Sequence, residues 1–403
     1  MFYLIIFCIL LILAILEILP QNKINQRILV GLSWGILVLV AGLRYETGGD
    51  WNFYTDEFNK TNPLGAVLTG AGWGSNKEIG FVFLCSIIKQ LGGSVQILFF
   101  LVTLFTVTMV TKCLKLYTKY VVFGLLVYYS ILYFPLDMIC IRQSIAVSIC
   151  FCAIQYIKKE SLLKYTSLII IASLFHVSSL LTLPLYFLFK AKLSNLTMIA
   201  VVVIGCILML LQVSYLQKIL IFIVNLLKEE TWRERCIYYL TERTFAVSRT
   251  ISIGFFLNLF LFAVFMWKKD EIVKKTYGNI FINMFWFSLI IYYYGYEFVE
   301  MSYRFRFSYL ISMVVLFVYM IDINIKYLKK PVIISGIVLY CLFFARGVFC
   351  DIDKSQVQYI SFNPYQNYVI YKIFDLKSTG AERLEEGNAR FEEVRKKASN
   401  EKK

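Results

Sequence analysis

A chain of 403 residues that is 59% hydrophobic and 17% aromatic, with a mean hydropathy of +0.68, carries more apolar surface than a soluble domain of that size needs. A soluble enzyme is excluded, and the composition predicts an all-α polytopic membrane protein. The formal charge of +15 invites a nucleic-acid partner, but the lysines sit in short loops as the positive-inside bias requires, and no soluble basic domain is left to hold nucleic acid.

The first apolar run, 2–19, lacks a basic leader and a small-residue cleavage site, so it reads as a retained span. Further crossings are expected at 28–43, 95–111, 120–134, 138–157, 196–213, 250–267, 279–295, 305–321 and 332–348. The apolar stretch 162–189 is broken near His176 and predicts a short hairpin of two spans with that histidine at its tip. The total is about twelve transmembrane helices.

Lysine and arginine in short loops set the sidedness. Lys23 and Arg27 place the first loop in the cytoplasm, with Lys112, Lys115 and Lys119, Lys158, Lys159 and Lys164, Lys190 and Lys192, Lys268, Lys269, Lys274 and Lys275, and Lys326, Lys329 and Lys330 on the same side. Parity then makes the 13-residue run 79–91 an interfacial or re-entrant helix. The outer segments are 44–78, a turn at 135–137, the His176 tip, 214–249 and 296–304. These belong to a catalytic membrane domain, 1–348, followed by an amphipathic segment, 349–376, and a charged tail, 377–403. Parity leaves 349–403 outside, whereas a further crossing around 357–374 would return the tail to the cytoplasm; both remain open.

The chemistry concentrates in the outer segments. Arg44-Tyr45-Glu46-Thr47-Gly48-Gly49-Asp50-Trp51-Asn52-Phe53-Tyr54 combines an arginine, a glycine pair, a carboxylate and rings, which is not linker composition. Arg142, one turn into an apolar helix beside Gln143, costs a few kcal/mol to insert, so a functional role competes with simple snorkelling. His176 is the only histidine, so metal ligation is not expected, and packing is its bland alternative. Seven of the ten cysteines (Cys8, Cys85, Cys140, Cys150, Cys152, Cys206 and Cys341) read as thiols within apolar runs, while Cys236 and Cys350 fall in outer loops and have the option of pairing.

The loop 214–249 starts with an amphipathic stretch, 215–227, suited to a membrane surface. Arg233, Arg235, Arg243 and Arg249 follow, interspersed with Glu234 and Glu242; a solvated, salt-bridged helix is the plain reading. The loop 296–304 supplies Glu297, Glu300, Tyr303 and Arg304, with Arg306 entering the next span. The glycine cluster at 70–74 lacks the lysine and strand of a phosphate loop.

Guanidinium forks suit phosphate oxygens and can stabilise a pyrophosphate leaving group. A lipid-linked sugar pyrophosphate would set its tail among the spans and its phosphates among the arginines. His176, Asp50 and Glu78 are candidates to take a proton from a sugar hydroxyl, and Trp51, Phe53, Tyr54 and Trp73 to stack on sugar rings.

Arg44…Gly49-Asp50…Tyr54, Glu78-Ile79-Gly80-Phe81, Arg142-Gln143…Ala146, Phe175-His176-Val177-Ser178, Arg304/Arg306 with Tyr309, and Asn363-Pro364-Tyr365 follow one another in an order that resembles the EpsG family, grouped with Wzy-type polysaccharide polymerases. The resemblance spans about residues 1–376. It implies a GT-C-type membrane glycosyltransferase that needs no cofactor, with its active site on the periplasmic face of the bacterial inner membrane. Undecaprenyl-pyrophosphate-linked repeat units would be donor and acceptor, membrane lipid would surround them, and a chain-length regulator is a candidate protein partner.

The resemblance also implies that Arg44, Arg142 and Arg304 hold phosphates, while Asp50 and His176 contact the acceptor or assist proton removal. Tyr54, Glu78, Gln143, Ser178, Tyr303 and Arg306 are the further substrate-binding candidates. An O-antigen ligase would share this chemistry but usually keeps its histidine in a large outer loop. A flippase would need charge accessible from both faces.

Overall fold

The computed structural model describes residues 1–19, 24–69, 78–226, 233–234, 237, 240–241, 248–249, 251–323, 329–349, 362–383, 385–387 and 389. Lys23, the 70–74 glycine cluster with Trp73, Arg235, Cys236, Glu242, Arg243, Lys326, Cys350 and most of the charged tail lie outside them, as does the side chain of Glu300.

Among the described residues the regular elements are all helices, the arrangement lipid demands because a helix satisfies its own backbone polar groups. Val95–Tyr117, Val121–Ile139, Met301–Asp322 and Lys330–Phe349 are long and apolar enough to cross a membrane. Seven shorter apolar helices, from Phe2–Ile18 to Ile253–Trp267, accompany them. This is the architecture of a polytopic membrane protein. The chain forms two compact units, one of Met1–Leu183 with Phe317–Lys403 and one of Pro184–Leu316.

In the first unit, Val95–Tyr117 packs between Gln26–Gly42 and Ile141–Lys158, and Leu162–Ser173 runs along Ile141–Lys158. Phe2–Ile18 lies beside Val121–Tyr128. Its Glu17 carboxylate accepts the Val121, Val122 and Phe123 N–H groups at 2.8, 2.9 and 3.2 Å, supplying the start of that helix with the acceptors it lacks.

Three expected boundaries change. Pro135 and Asp137 are not an outer turn: Val121–Tyr128 continues as a π-helix, Tyr129–Ile139, and the chain breaks only at Cys140. Asp137 is 1% exposed because the Thr106, Tyr128 and Ser144 hydroxyls, each at 2.6 Å, solvate its carboxylate inside the bundle. The return leg of the His176 hairpin is a 3₁₀ helix, Val177–Thr182, interrupted before a six-residue helix, Leu185–Lys190, and is no regular span. Finally, of the crossing considered at 357–374, residues 357–361 lie outside the described ones, and the described remainder holds only the six-residue helix Tyr368–Ile373, about 9 Å long.

Residues 362–383 instead return to the end of Gln26–Gly42. Tyr368 N–H reaches Leu43 O at 2.8 Å, Tyr45 N–H reaches Gln366 O at 2.9 Å, and Tyr365 hydroxyl donates to Val40 O at 3.0 Å.

In the second unit, Asn283 donates to the Leu188, Phe189 and Ala191 carbonyls at 3.2, 3.2 and 2.8 Å, fastening Gly278–Tyr294 to the end of Leu185–Lys190. The amphipathic stretch becomes Leu216–Asn225, a helix without a buried residue, with Ile219, Phe222 and Ile223 exposed.

Candidate active site

The Arg44–Tyr54 stretch turns sharply where Gln26–Gly42 ends. Gly48 has φ 107, and any Cβ there would collide with the Met138 carbonyl, so glycine alone lets the loop press against the π-helix. Asp50, half-buried, stands at the N-cap of Trp51–Lys60. Lys89 grips the other end of this helix, its Nζ donating to Asn59 O at 2.7 Å and Thr61 O at 2.8 Å. Trp51 stacks on Phe99 with ring centroids 4.2 Å apart, which leaves Phe53 as the exposed ring of the pattern.

Glu78 precedes the helix Ile79–Gln90, and Gly80 sets its position. The Gly80 N–H donates to Leu174 O at 2.8 Å, and a Cβ would sit 3.0 Å from that same oxygen. This close approach brings Glu78 beside the turn that follows Leu162–Ser173, where His176 projects. Arg142 arrives from the second residue of Ile141–Lys158.

The result is a carboxylate shared by two basic side chains. Glu78 Oε1 lies 2.7 Å from His176 Nδ1 and Oε2 lies 2.7 Å from Arg142 Nη1. The side chains of Arg142, Glu78 and His176 are 23%, 13% and 25% exposed, sheltered enough to strengthen charge pairing yet open to a reactant. The Arg142 guanidinium also lies 5.3, 5.7 and 5.8 Å from the ring centroids of Phe53, Tyr54 and Phe81. Burial first, and the nearby Cys140 thiol second, raise the Tyr54 pKa well above the ordinary phenol value, so its hydroxyl keeps its proton.

The geometry assigns the imidazole. A carboxylate only accepts, so the proton facing Glu78 sits on Nδ1, and Nε2 is the nitrogen left to exchange a proton elsewhere.

The other expected residues divide. Gln143 is buried at 3% exposure and Ser178 is half-buried in the 3₁₀ helix after His176. Arg44 is 1% exposed: its Nη1 donates to Ala41 O at 2.6 Å, its guanidinium carbon lies 4.4 Å from the Phe99 centroid, and its backbone bridges Asn367. Burial lowers its pKa to about 10, against the opposing pull of Tyr133 and Asp137, so it stays cationic at neutral pH.

Tyr303, Arg304 and Arg306 belong to the second unit. Arg304 is exposed, and Tyr303 packs edge-on against Phe307 at 4.9 Å. Arg306 is buried, donating from Nε to Ser288 O at 3.1 Å and from Nη2 to Asn258 Oδ1 at 2.6 Å. Arg249 and Arg306 approach the Tyr292 ring, at 4.1 and 4.8 Å from its centroid. Arg249 also bonds the Tyr292 and Tyr296 carbonyls at 3.0 and 2.7 Å, which replaces the salt-bridged surface reading at that position.

Two carboxylates acquire roles that the residue pattern did not disclose. Glu297 is buried and accepts the Tyr215, Leu216 and Gln217 N–H groups at 3.1, 2.6 and 3.1 Å, capping the amphipathic helix from a distant segment. Asp137 ties three helices together. Its sequence signal was a carboxylate between two long apolar runs, a position that warrants attention in a membrane protein.

Among the described residues no three His, Cys, Asp or Glu side chains gather as a metal site. No curated protein and no solved structure matches the chain. A family model, that of the EpsG family, matches residues 27–367, a range that contains the Arg44–Tyr54 stretch, Glu78, Arg142, His176 and Arg304. With most of its length matched, the chain belongs to the EpsG family.

Proposed function

We propose that the protein is a polysaccharide polymerase that joins undecaprenyl-pyrophosphate-linked oligosaccharide repeat units on the periplasmic face of the inner membrane and releases undecaprenyl pyrophosphate. Family membership supports a polymerase-type role in polysaccharide synthesis. The single observation that carries the chemistry is Glu78 held at 2.7 Å between His176 and Arg142 in a half-sheltered, ring-lined place.

In this reading the acceptor sugar hydroxyl attacks the anomeric carbon of the donor chain. His176 Nε2 takes the hydroxyl proton while Glu78 orients the ring, and the anomeric carbon–oxygen bond to pyrophosphate breaks. Arg142 faces the growing negative charge on the leaving pyrophosphate. Arg44, buried beneath the loop, holds the wall, and Asp50 and Phe53 lie on the acceptor side. Arg304, exposed on the second unit, stays a phosphate-binding candidate of that unit. With Ile141–Lys158 and Gly278–Tyr294, the four long helices and the short apolar ones other than Ile79–Gln90 and Leu216–Asn225 would make eleven crossings, near the expected twelve, in a GT-C-type arrangement.

The test is a polysaccharide ladder gel from a strain deleted for the gene. A single repeat on the acceptor, without a ladder, supports the polymerase. Polymer accumulating on the carrier identifies a ligase, repeat units retained on the cytoplasmic face identify a flippase, and a normal ladder overturns all three.

A further inference from the structure

Residues 376–383 lie beyond the family-matched range, 27–367, yet they close upon the motif stretch near its start. Three of their groups converge on Glu46. Ser378 hydroxyl donates to the Glu46 carboxylate, and Arg383 Nη2 donates to the Glu46 carbonyl at 2.9 Å. Gly380 packs so tightly that any Cβ would strike the Glu46 side chain. The segment is fastened at its base: Thr379 N–H donates to Gln366 Oε1 at 3.1 Å, and Arg383 Nη1 donates to Pro364 O at 2.9 Å. Arg383 is 7% exposed, which is deep burial for a residue in a charged tail.

Glu46 has φ 43, a left-handed conformation uncommon for a residue with a side chain. Such a backbone persists where the surroundings over-determine it. Here its carboxylate, its carbonyl and its packing face are all engaged by the same eight-residue segment. Two residues later Gly48 makes the turn against Met138, and beyond it Trp51–Lys60 carries Phe53 and Tyr54 to Arg142.

We infer that residues 376–383 are an intramolecular strap, built on Arg383, that sets the conformation of the Arg44–Asp50 stretch and through it the rings around Arg142. Arg383 is a positioning residue. Its effect on the reaction rests on the polymerase reading; the strap itself does not.

Hydrogen exchange on the full chain in lipid nanodiscs tests the strap directly, comparing the parent with Arg383→Ala, Arg383→Lys and Gly380→Leu. Peptides covering 43–50 should exchange about tenfold faster in Arg383→Ala and Gly380→Leu, and to an intermediate degree in Arg383→Lys, whose single donor nitrogen replaces only one of the two guanidinium nitrogens that reach Pro364 and Glu46. Peptides from Val95–Tyr117 should not change. Unchanged protection at 43–50 in both disruptive variants overturns the strap, and so does an equal loss of protection across Val95–Tyr117.

Polymer synthesis from lipid-linked repeat units is then measured on the same samples, with about a tenfold loss expected in Arg383→Ala and partial recovery in Arg383→Lys. Equal synthesis by parent and Arg383→Ala despite faster exchange removes the positioning role. Faster exchange with no synthesis by the parent leaves the strap standing and overturns the polymerase reading.

Discussion

His176 Nδ1 and Glu78 Oε1 lie 2.7 Å apart although 98 residues separate them in the chain. The contact fixes the imidazole orientation and leaves Nε2 as the nitrogen that the proposed mechanism uses. His176→Ala is therefore expected to lower polymerisation about a hundredfold or more, the usual weight of a positioned general base. Glu78→Gln keeps an acceptor for Nδ1–H but withdraws the charge shared with Arg142, and a loss of similar order is expected. Polymerisation in proteoliposomes, normalised to inserted protein, measures both. A Glu78→Gln rate within about twofold of the parent would remove Glu78 from the mechanism.

Arg142 and Arg44 are both motif arginines, yet their surroundings predict different failures. Arg142→Ala should abolish the polymer ladder at a smaller cost in stability, about 1–2 kcal/mol, because the sheltered Glu78 carboxylate loses its charge partner but keeps His176. Arg44 is buried against Phe99, so Arg44→Ala should abolish the ladder and also destabilise the protein by about 3 kcal/mol, through the vacated volume and the unpaired Ala41 carbonyl. Thermal unfolding in detergent separates the two. A ladder of normal length in Arg142→Ala would sink its role at the leaving group.

The class of the protein was legible because bilayer thickness and backbone satisfaction leave a strong imprint on composition and run length. The motif order is legible too, and it singles out Arg142, His176 and Glu78 without disclosing their contact. What failed to show was partnership. Glu78 reads as a candidate base, but its place as the bridge between Arg142 and His176 depends on Gly80 meeting Leu174, a close approach that hydropathy does not encode. Asp137 reads as a turn residue because it lies between the apolar runs 120–134 and 138–157, but the hydroxyls that solvate it come from three separate helices. Glu297 likewise caps a helix some 80 residues earlier.

The two glycines that shape the site should respond to an added methyl group for different reasons. Gly48→Ala combines φ 107 with a collision against Met138 O and should destabilise by about 2 kcal/mol or more. Gly80→Ala has ordinary helical backbone but drives a Cβ to 3.0 Å from Leu174 O, so the hairpin bearing His176 must yield. Its main expected effect is on activity, about tenfold, with little change in melting temperature. A Gly80→Ala variant as active as its parent would show that the turn near His176 tolerates displacement.

Asp137 offers the sharpest test of the buried framework. Its Oδ1 accepts from Thr106 and Ser144 and its Oδ2 from Tyr128, all at 2.6 Å. Asp137→Asn preserves shape but turns one acceptor into a donor, so one hydroxyl must rotate away, at a cost of about 2 kcal/mol. Asp137→Leu takes the acceptor from the Tyr128 and Ser144 hydroxyls, while Thr106 keeps Thr103 O at 3.2 Å, and should cost about 4 kcal/mol. Because Ser144 lies two residues from Arg142 at the start of the same helix, both variants should also lose activity, in the order of their destabilisation. Unfolding followed by intrinsic fluorescence in detergent gives the ranking. If Asp137→Leu were as stable as the parent, the carboxylate would not be what joins Val95–Tyr117, Val121–Tyr128 and Ile141–Lys158, and apolar packing alone would have to place Arg142.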